Sequence, residues 1–144
     1  MKDSRVKAIA AFLTFLLSLA ALPAVAQQLP DVPTIQVPAG GATVTGQVAA
    51  NGRNVYSVSA TSLQALSVTI ASPGNNAIFQ VYDVGASATG TTGRAVVSGT
   101  TLTGAGTADA SMAWIGVIPQ TGRYLIAVDS KGGPASYTLT VQFQ

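Results

Sequence analysis

Apolar side chains in this sequence fall on every second residue, and glycine or proline cuts the rows they make at short intervals. Near the C-terminus Tyr137, Leu139, Val141 and Phe143 alternate with Thr138, Thr140 and Gln142. Just upstream, Tyr124, Ile126 and Val128 alternate with Arg123, Leu125, Ala127 and Asp129. Successive side chains of an extended strand point to opposite faces, so this spacing makes half-buried strands and not one face of a helix. Strands are expected over 42–48, 53–60, 65–71, 77–83, 112–118, 123–129 and 136–143. Turn chemistry separates them at Asn51-Gly52, Pro73-Gly74-Asn75-Asn76, Thr121-Gly122 and Gly132-Gly133-Pro134. The fold class is therefore all-β, an antiparallel sandwich of about seven to nine strands whose apolar rows meet inside and whose outer faces stay wet.

The first 26 residues have a different pattern. Lys2, Arg5 and Lys7 precede an apolar run over 8–22, followed by Pro23 and Ala24-Val25-Ala26. This reads as a signal peptide cleaved after Ala26. The run is short of the roughly 20 residues of a membrane span, so no span is expected after cleavage. The expected destination is the periplasm or the extracellular medium. The expected organisation is a leader over 1–26, a short proline-punctuated segment over 27–39 and one sandwich domain over 40–144. Of the 118 residues after the leader 51 are apolar, enough for a core without disulfides.

Cleavage also changes the electrostatics. The formal net charge of +2 is the leader's three bases less Asp3. What remains is Arg53, Arg94, Arg123 and Lys131 against Asp31, Asp83, Asp109 and Asp129, or 4 − 4 = 0. Four scattered cations do not make the basic surface that nucleic acid requires. The sequence contains no His, Cys or Glu, which removes His-assisted nucleophiles and the usual zinc and copper ligands. The four acids are far apart and form no Asp-x-Asp run of the kind calcium takes. Ser130-Lys131 sits in a turn and directs its side chains apart. The expectation is no enzyme activity, no cofactor and no metal.

From Gly85 to Ala110, 21 of 26 residues are Gly, Ala, Ser or Thr. This insertion is expected to be a mobile surface excursion, with 95–97 and 101–103 able to pair as a weak hairpin around Ser98-Gly99. A sharper reading makes it a partner-contacting loop with Arg94 as its one cation.

The order of these features resembles a known family. Gly41-Ala42-Thr43-Val44-Thr45-Gly46-Gln47-Val48 leads to Tyr56-Ser57-Val58-Ser59-Ala60, then Leu66-Ser67-Val68-Thr69-Ile70 and Phe79-Gln80-Val81-Tyr82-Asp83. After the insertion come Trp114-Ile115-Gly116-Val117-Ile118, Pro119-Gln120-Thr121-Gly122-Arg123-Tyr124-Leu125-Ile126-Ala127-Val128 and Tyr137-Thr138-Leu139-Thr140-Val141. Over residues 40–143 this resembles the bacterial pre-peptidase C-terminal domain, which implies a jelly-roll-like sandwich on a secreted protein. The strand order is also similar to that of the periplasmic inhibitors of goose-type lysozyme. In those inhibitors the loop before the last strand is long and basic, whereas here residues 130–135 are short and carry Lys131 alone. The expected function is an exported, non-enzymatic binding module for a protein or glycan of the envelope or medium. A lysozyme as partner is what the second resemblance implies, and self-association through strand edges is a third reading, since the mature chain carries no net charge. Residues expected at a partner contact are Arg94, Arg123, Lys131 and Trp114.

Overall fold

A computed structural model describes residues 32–144, so the leader and the start of the following segment lie outside the described residues. Nine strands follow in order: β1 (Ala42–Val48), β2 (Arg53–Ala60), β3 (Ala65–Ala71), β4 (Ala77–Tyr82), β5 (Ser87–Thr91), β6 (Arg94–Ser98), β7 (Ala113–Val117), β8 (Gly122–Ser130) and β9 (Ala135–Phe143). They form a four-stranded sheet, β1-β9-β3-β7, and a five-stranded sheet, β4-β8-β2-β6-β5. Apart from the β4 to β6 stretch, each connection carries the chain from one sheet to the other. The glycine- and asparagine-rich turns therefore collect at the two ends of the sandwich.

The alternating rows meet between the sheets as their spacing requires. Leu66, Val68 and Ile70 of β3 and Leu139 and Val141 of β9 face Val58 of β2, Phe79 and Val81 of β4, and Tyr124, Ile126 and Val128 of β8. Tyr124 is fully buried, and its hydroxyl donates to the Gln120 carbonyl at 2.6 Å, so the ring is buried without orphaning its polar tip.

On the five-stranded sheet the expectation of a wet outer face is corrected. Leu125 and Ala127, on the far side of β8 from the core, are at most 1% exposed. They join Val55, Tyr82, Ala88 and Ala95 in a second apolar cluster. The insertion supplies the cover. Its hairpin also differs from the expected one: β6 pairs back with β5 around Thr92-Gly93, and not forward with 101–103. The reason lies in the backbone. Gly93 adopts φ 79 in the tight turn, and Gly99 at φ 148 packs so close to Ala86 that a Cβ there would sit 2.7 Å from the Ala86 Cβ. Beyond Gly99 the chain runs along the outer edge of β4. Leu102 N–H donates to the Val81 carbonyl at 2.9 Å, Val81 N–H to Ala105 at 3.0 Å and Phe79 N–H to Ser111 at 3.0 Å. The 85–110 stretch is thus a folded cover and edge guard, contrary to a loose excursion.

Residues 32–38 have a similar task on β2. Ser57 N–H donates to Pro33 and Ile35 N–H to Ser57, both at 2.8 Å, and Ile35 enters the main core.

Candidate functional site

Two short segments therefore share the free side of β2, and they do not meet. At one end the hairpin tip docks, with Arg53 N–H donating to the Gly93 carbonyl at 2.8 Å. At the other lies Pro33, against Ser57. Backbone groups of Arg53, Val55 and Ser57 all point to this side, because Asn54 and Tyr56 are the residues bonded to β8. Val55 lies between the two docked segments: the β2–β6 ladder is confined to the Arg53–Arg94 pair, and none of the turn and loop bonds of the described residues reaches the Val55 N–H or C=O. The gap is a cavity of about 350 Å³ lined by Val32, Pro33, Arg53, Val55, Tyr56, Thr92 and Gly93, among others. An unpaired strand segment with one donor and one acceptor is the feature that an extended partner segment recognises.

The floor of this region is a polar network. Arg53 grips Asp129 with both arms, Nε to Oδ1 at 2.6 Å and Nη2 to Oδ2 at 2.8 Å, directly across the β2–β8 pair. Gln80 Nε2 adds a third donor to Oδ2 at 3.0 Å from the neighbouring strand. The hydrogen bond and charge of Asp129 raise the Arg53 pKa above its usual value, so the guanidinium stays charged and neutralised at once. Gln80 is fully buried, and its Oε1 has no partner among the described residues.

Two tyrosines close the inner wall. The Tyr56 and Tyr137 hydroxyls are 2.5 Å apart, and Asn54 Nδ2 donates to the Tyr137 oxygen at 2.9 Å. Gly46 makes room for them: a Cβ there would lie 2.6 Å from the Tyr137 hydroxyl. Burial, followed by the Tyr137 hydrogen bond, pushes the Tyr56 pKa above the ordinary tyrosine value. The folded state thus holds the neutral phenol, so this stabilisation is complete below pH ~10 and is lost as the pH rises through the raised value. Alkaline titration of stability should show a steep loss above pH ~10 that is shallower in Tyr56→Phe, measured by urea midpoints at each pH.

The expected contact residues separate into different places. Arg94 pairs with Arg53 in the β6–β2 bridge, and Lys131 follows the strand end at Asp129, so these two exposed cations flank the same end of the sandwich as the gap. Arg123 lies six residues back along β8, opposite Ser59, about 20 Å away at strand spacing. Trp114 is on edge strand β7. Its Nε1 donates to the Thr103 carbonyl at 2.9 Å, and its ring covers Gly116, where a Cβ would be 2.3 Å from Cζ2. The Trp therefore ties the insertion to the four-stranded sheet. Sequence reasoning missed the Arg53–Asp129–Gln80 network, the tyrosine pair and the gap at Val55. Arg53 and Asp129 were visible as charges, but only the β2–β8 register puts them opposite one another.

Among the described residues Ser130 and Lys131 do not form a nucleophile–base pair. Ser130 Oγ donates to the Ala49 carbonyl at 3.1 Å and Lys131 is exposed. Among the described residues no three Asp side chains gather as a metal site would need, and no helix is long and apolar enough to cross a membrane. What the arrangement offers is a set of backbone and side-chain hydrogen-bonding groups beside a cavity.

No family model and no curated protein sequence matches the chain. Solved structures do. The periplasmic inhibitor of g-type lysozyme from Aeromonas hydrophila, PliG, is 24% identical with a TM-score of 0.56, covering 83% of this chain and 100% of that one. A mutant of the Escherichia coli PliG is 13% identical with a TM-score of 0.53, again over 83% and 100%. The pre-peptidase C-terminal domain of a Bacillus anthracis collagenase is 14% identical with a TM-score of 0.47, over 78% and 95%. At these identities the likeness is one of fold.

Proposed function

We propose that this chain is an exported, non-enzymatic binding module of the lysozyme-inhibitor kind, which engages a goose-type lysozyme through the end that carries Arg94, Lys131 and the gap at Val55. The observation that supports this most is the overlap in fold with the A. hydrophila inhibitor along that inhibitor's whole length. A sugar-cleaving cleft works with carboxylates, and two exposed cations beside an open backbone slot suit such a surface. Export rests on the leader read in residues 1–26, and N-terminal sequencing of the secreted protein should begin at Gln27.

The test is inhibition by the processed protein, titrated against goose-type, chicken-type and invertebrate-type lysozymes. Saturable inhibition of the goose-type enzyme is expected. The double variant Arg94→Ala/Lys131→Ala should weaken it about tenfold, a change of about 1.4 kcal/mol, while Arg123→Ala at the opposite end leaves it unchanged. The Val55 amide should become protected from exchange in the complex. Absence of inhibition at large molar excess would remove lysozyme as the partner.

A further inference from the structure

Strand β7 is an outer strand of the four-stranded sheet, and its free side is unguarded. Ile70 N–H donates to Met112 and Ile118 N–H to Gln64, both at 2.8 Å, so the residues bonded to β3 are 112, 114, 116 and 118. The N–H and C=O of Ala113, Ile115 and Val117 therefore point outward, and no backbone partner takes them up among the described residues. Their side chains stand on the outer face. Ile115 is 58% and Val117 62% exposed, and Leu63, 82% exposed, lies beside the strand end, its N–H bonded to the Ile118 carbonyl. Two of the five large exposed apolar side chains of the described residues thus sit on this edge strand, and a third, Leu63, lies at its end on the β3 side. Sheet edges are ordinarily blunted by lysine, proline or a covering segment; from Ala110 to Gly122 the sequence has no charge, and proline appears only past the strand, at Pro119. By contrast, the edge of β4 is covered by the insertion.

The geometry points to a second copy of this chain as the occupant, docked by antiparallel β7–β7′ pairing about a two-fold axis through Ile115. In that register Ile115 meets Ile115, and Ala113 meets Val117 of the other copy. All three pairs are of the bonded kind, which gives six backbone hydrogen bonds and joins two sheets into one of eight strands. The side chains on the outer face are compatible with this register. On the outer face only Ala, Ile and Val come together. On the other, the residue opposite each Trp114 is the partner copy's Gly116, which adds no side chain of its own and is covered by that copy's own Trp114 ring. A five-residue seam falls in the class of small interfaces, below about 1,200 Å², so association is expected in the micromolar range, at a Kd of ~1–100 μM.

Sedimentation of the processed protein from ~1 μM to ~1 mM tests this, with the amides of Ile115 and Val117 gaining exchange protection as concentration rises while that of Gly116 is protected throughout. Ile115→Lys sets two ammonium groups face to face on the axis and should raise the Kd at least tenfold, with an unchanged circular dichroism spectrum, since the side chain is exposed. Thr45→Lys, on the opposite edge strand β1, should dimerise like the parent. A monomer at every concentration, or a dimer indifferent to Ile115→Lys, would overturn the pairing. Lysozyme inhibition does not enter this test, and its loss would leave the outcome readable.

Discussion

Asp129→Ala should lower the unfolding free energy by about 2–3 kcal/mol, the larger of the two stability losses expected here. The carboxylate accepts two hydrogen bonds from Arg53 and one from Gln80, and removing it leaves a cation and a fully buried amide without that partner. Breaking a buried pair by deleting one side typically costs roughly 3–5 kcal/mol. Here the two side chains are 23% and 17% exposed, so water compensates part of the loss. Urea denaturation should show the lower midpoint. In the Gln80→Met background the same substitution should cost less, because the amide that would have been orphaned is gone. Equal costs in both backgrounds would mean that Gln80 does not belong to the network.

Gly52→Ala should cost about 1–3 kcal/mol through overpacking, and it should act on the hairpin. A Cβ at this position would lie 2.7 Å from the Gly93 carbonyl oxygen and 2.9 Å from that of Ala49. Both obstacles are backbone, so no side chain can swing away. Either the hairpin tip lifts or the β1–β2 turn opens. If the tip lifts, the Arg53 amide loses its acceptor and the Val55, Leu125 and Ala127 cluster loses its cover. Amide exchange should therefore accelerate at Arg53 more than at Val58, whose strand is held in the main core. Uniform acceleration would indicate that the hairpin is not separately anchored.

These expectations show where sequence pattern carries structure and where it does not. β1 and β3 occupy the spans that alternation marks, because each has one face toward the core and one toward water, and contrast between the faces is what the pattern records. β8 has no such contrast. Leu125 and Ala127 are as buried as Tyr124 and Ile126, a sign in retrospect that something covers the second face. The covering hairpin was illegible for a physical reason. Its buried residues are Ala88 and Ala95, while Val96 is 59% exposed, so hydrophobicity runs opposite to burial. Small side chains let the hairpin lie flat, and flatness has no periodic signature. The gap at Val55 is less legible still. It exists because the hairpin tip and the residue 33–35 segment, distant in sequence, each stop short along β2. Arg94 and Lys131 could be picked out as scarce cations, but only the shared register with Arg53 and Asp129 puts them at one end.

A calorimetric titration of the processed protein into goose-type lysozyme addresses the binding function most directly. A saturable 1:1 complex is expected, weakened about tenfold by Arg94→Ala/Lys131→Ala and indifferent to Arg123→Ala. No heat of binding, or binding lost only with Arg123→Ala, would contradict it.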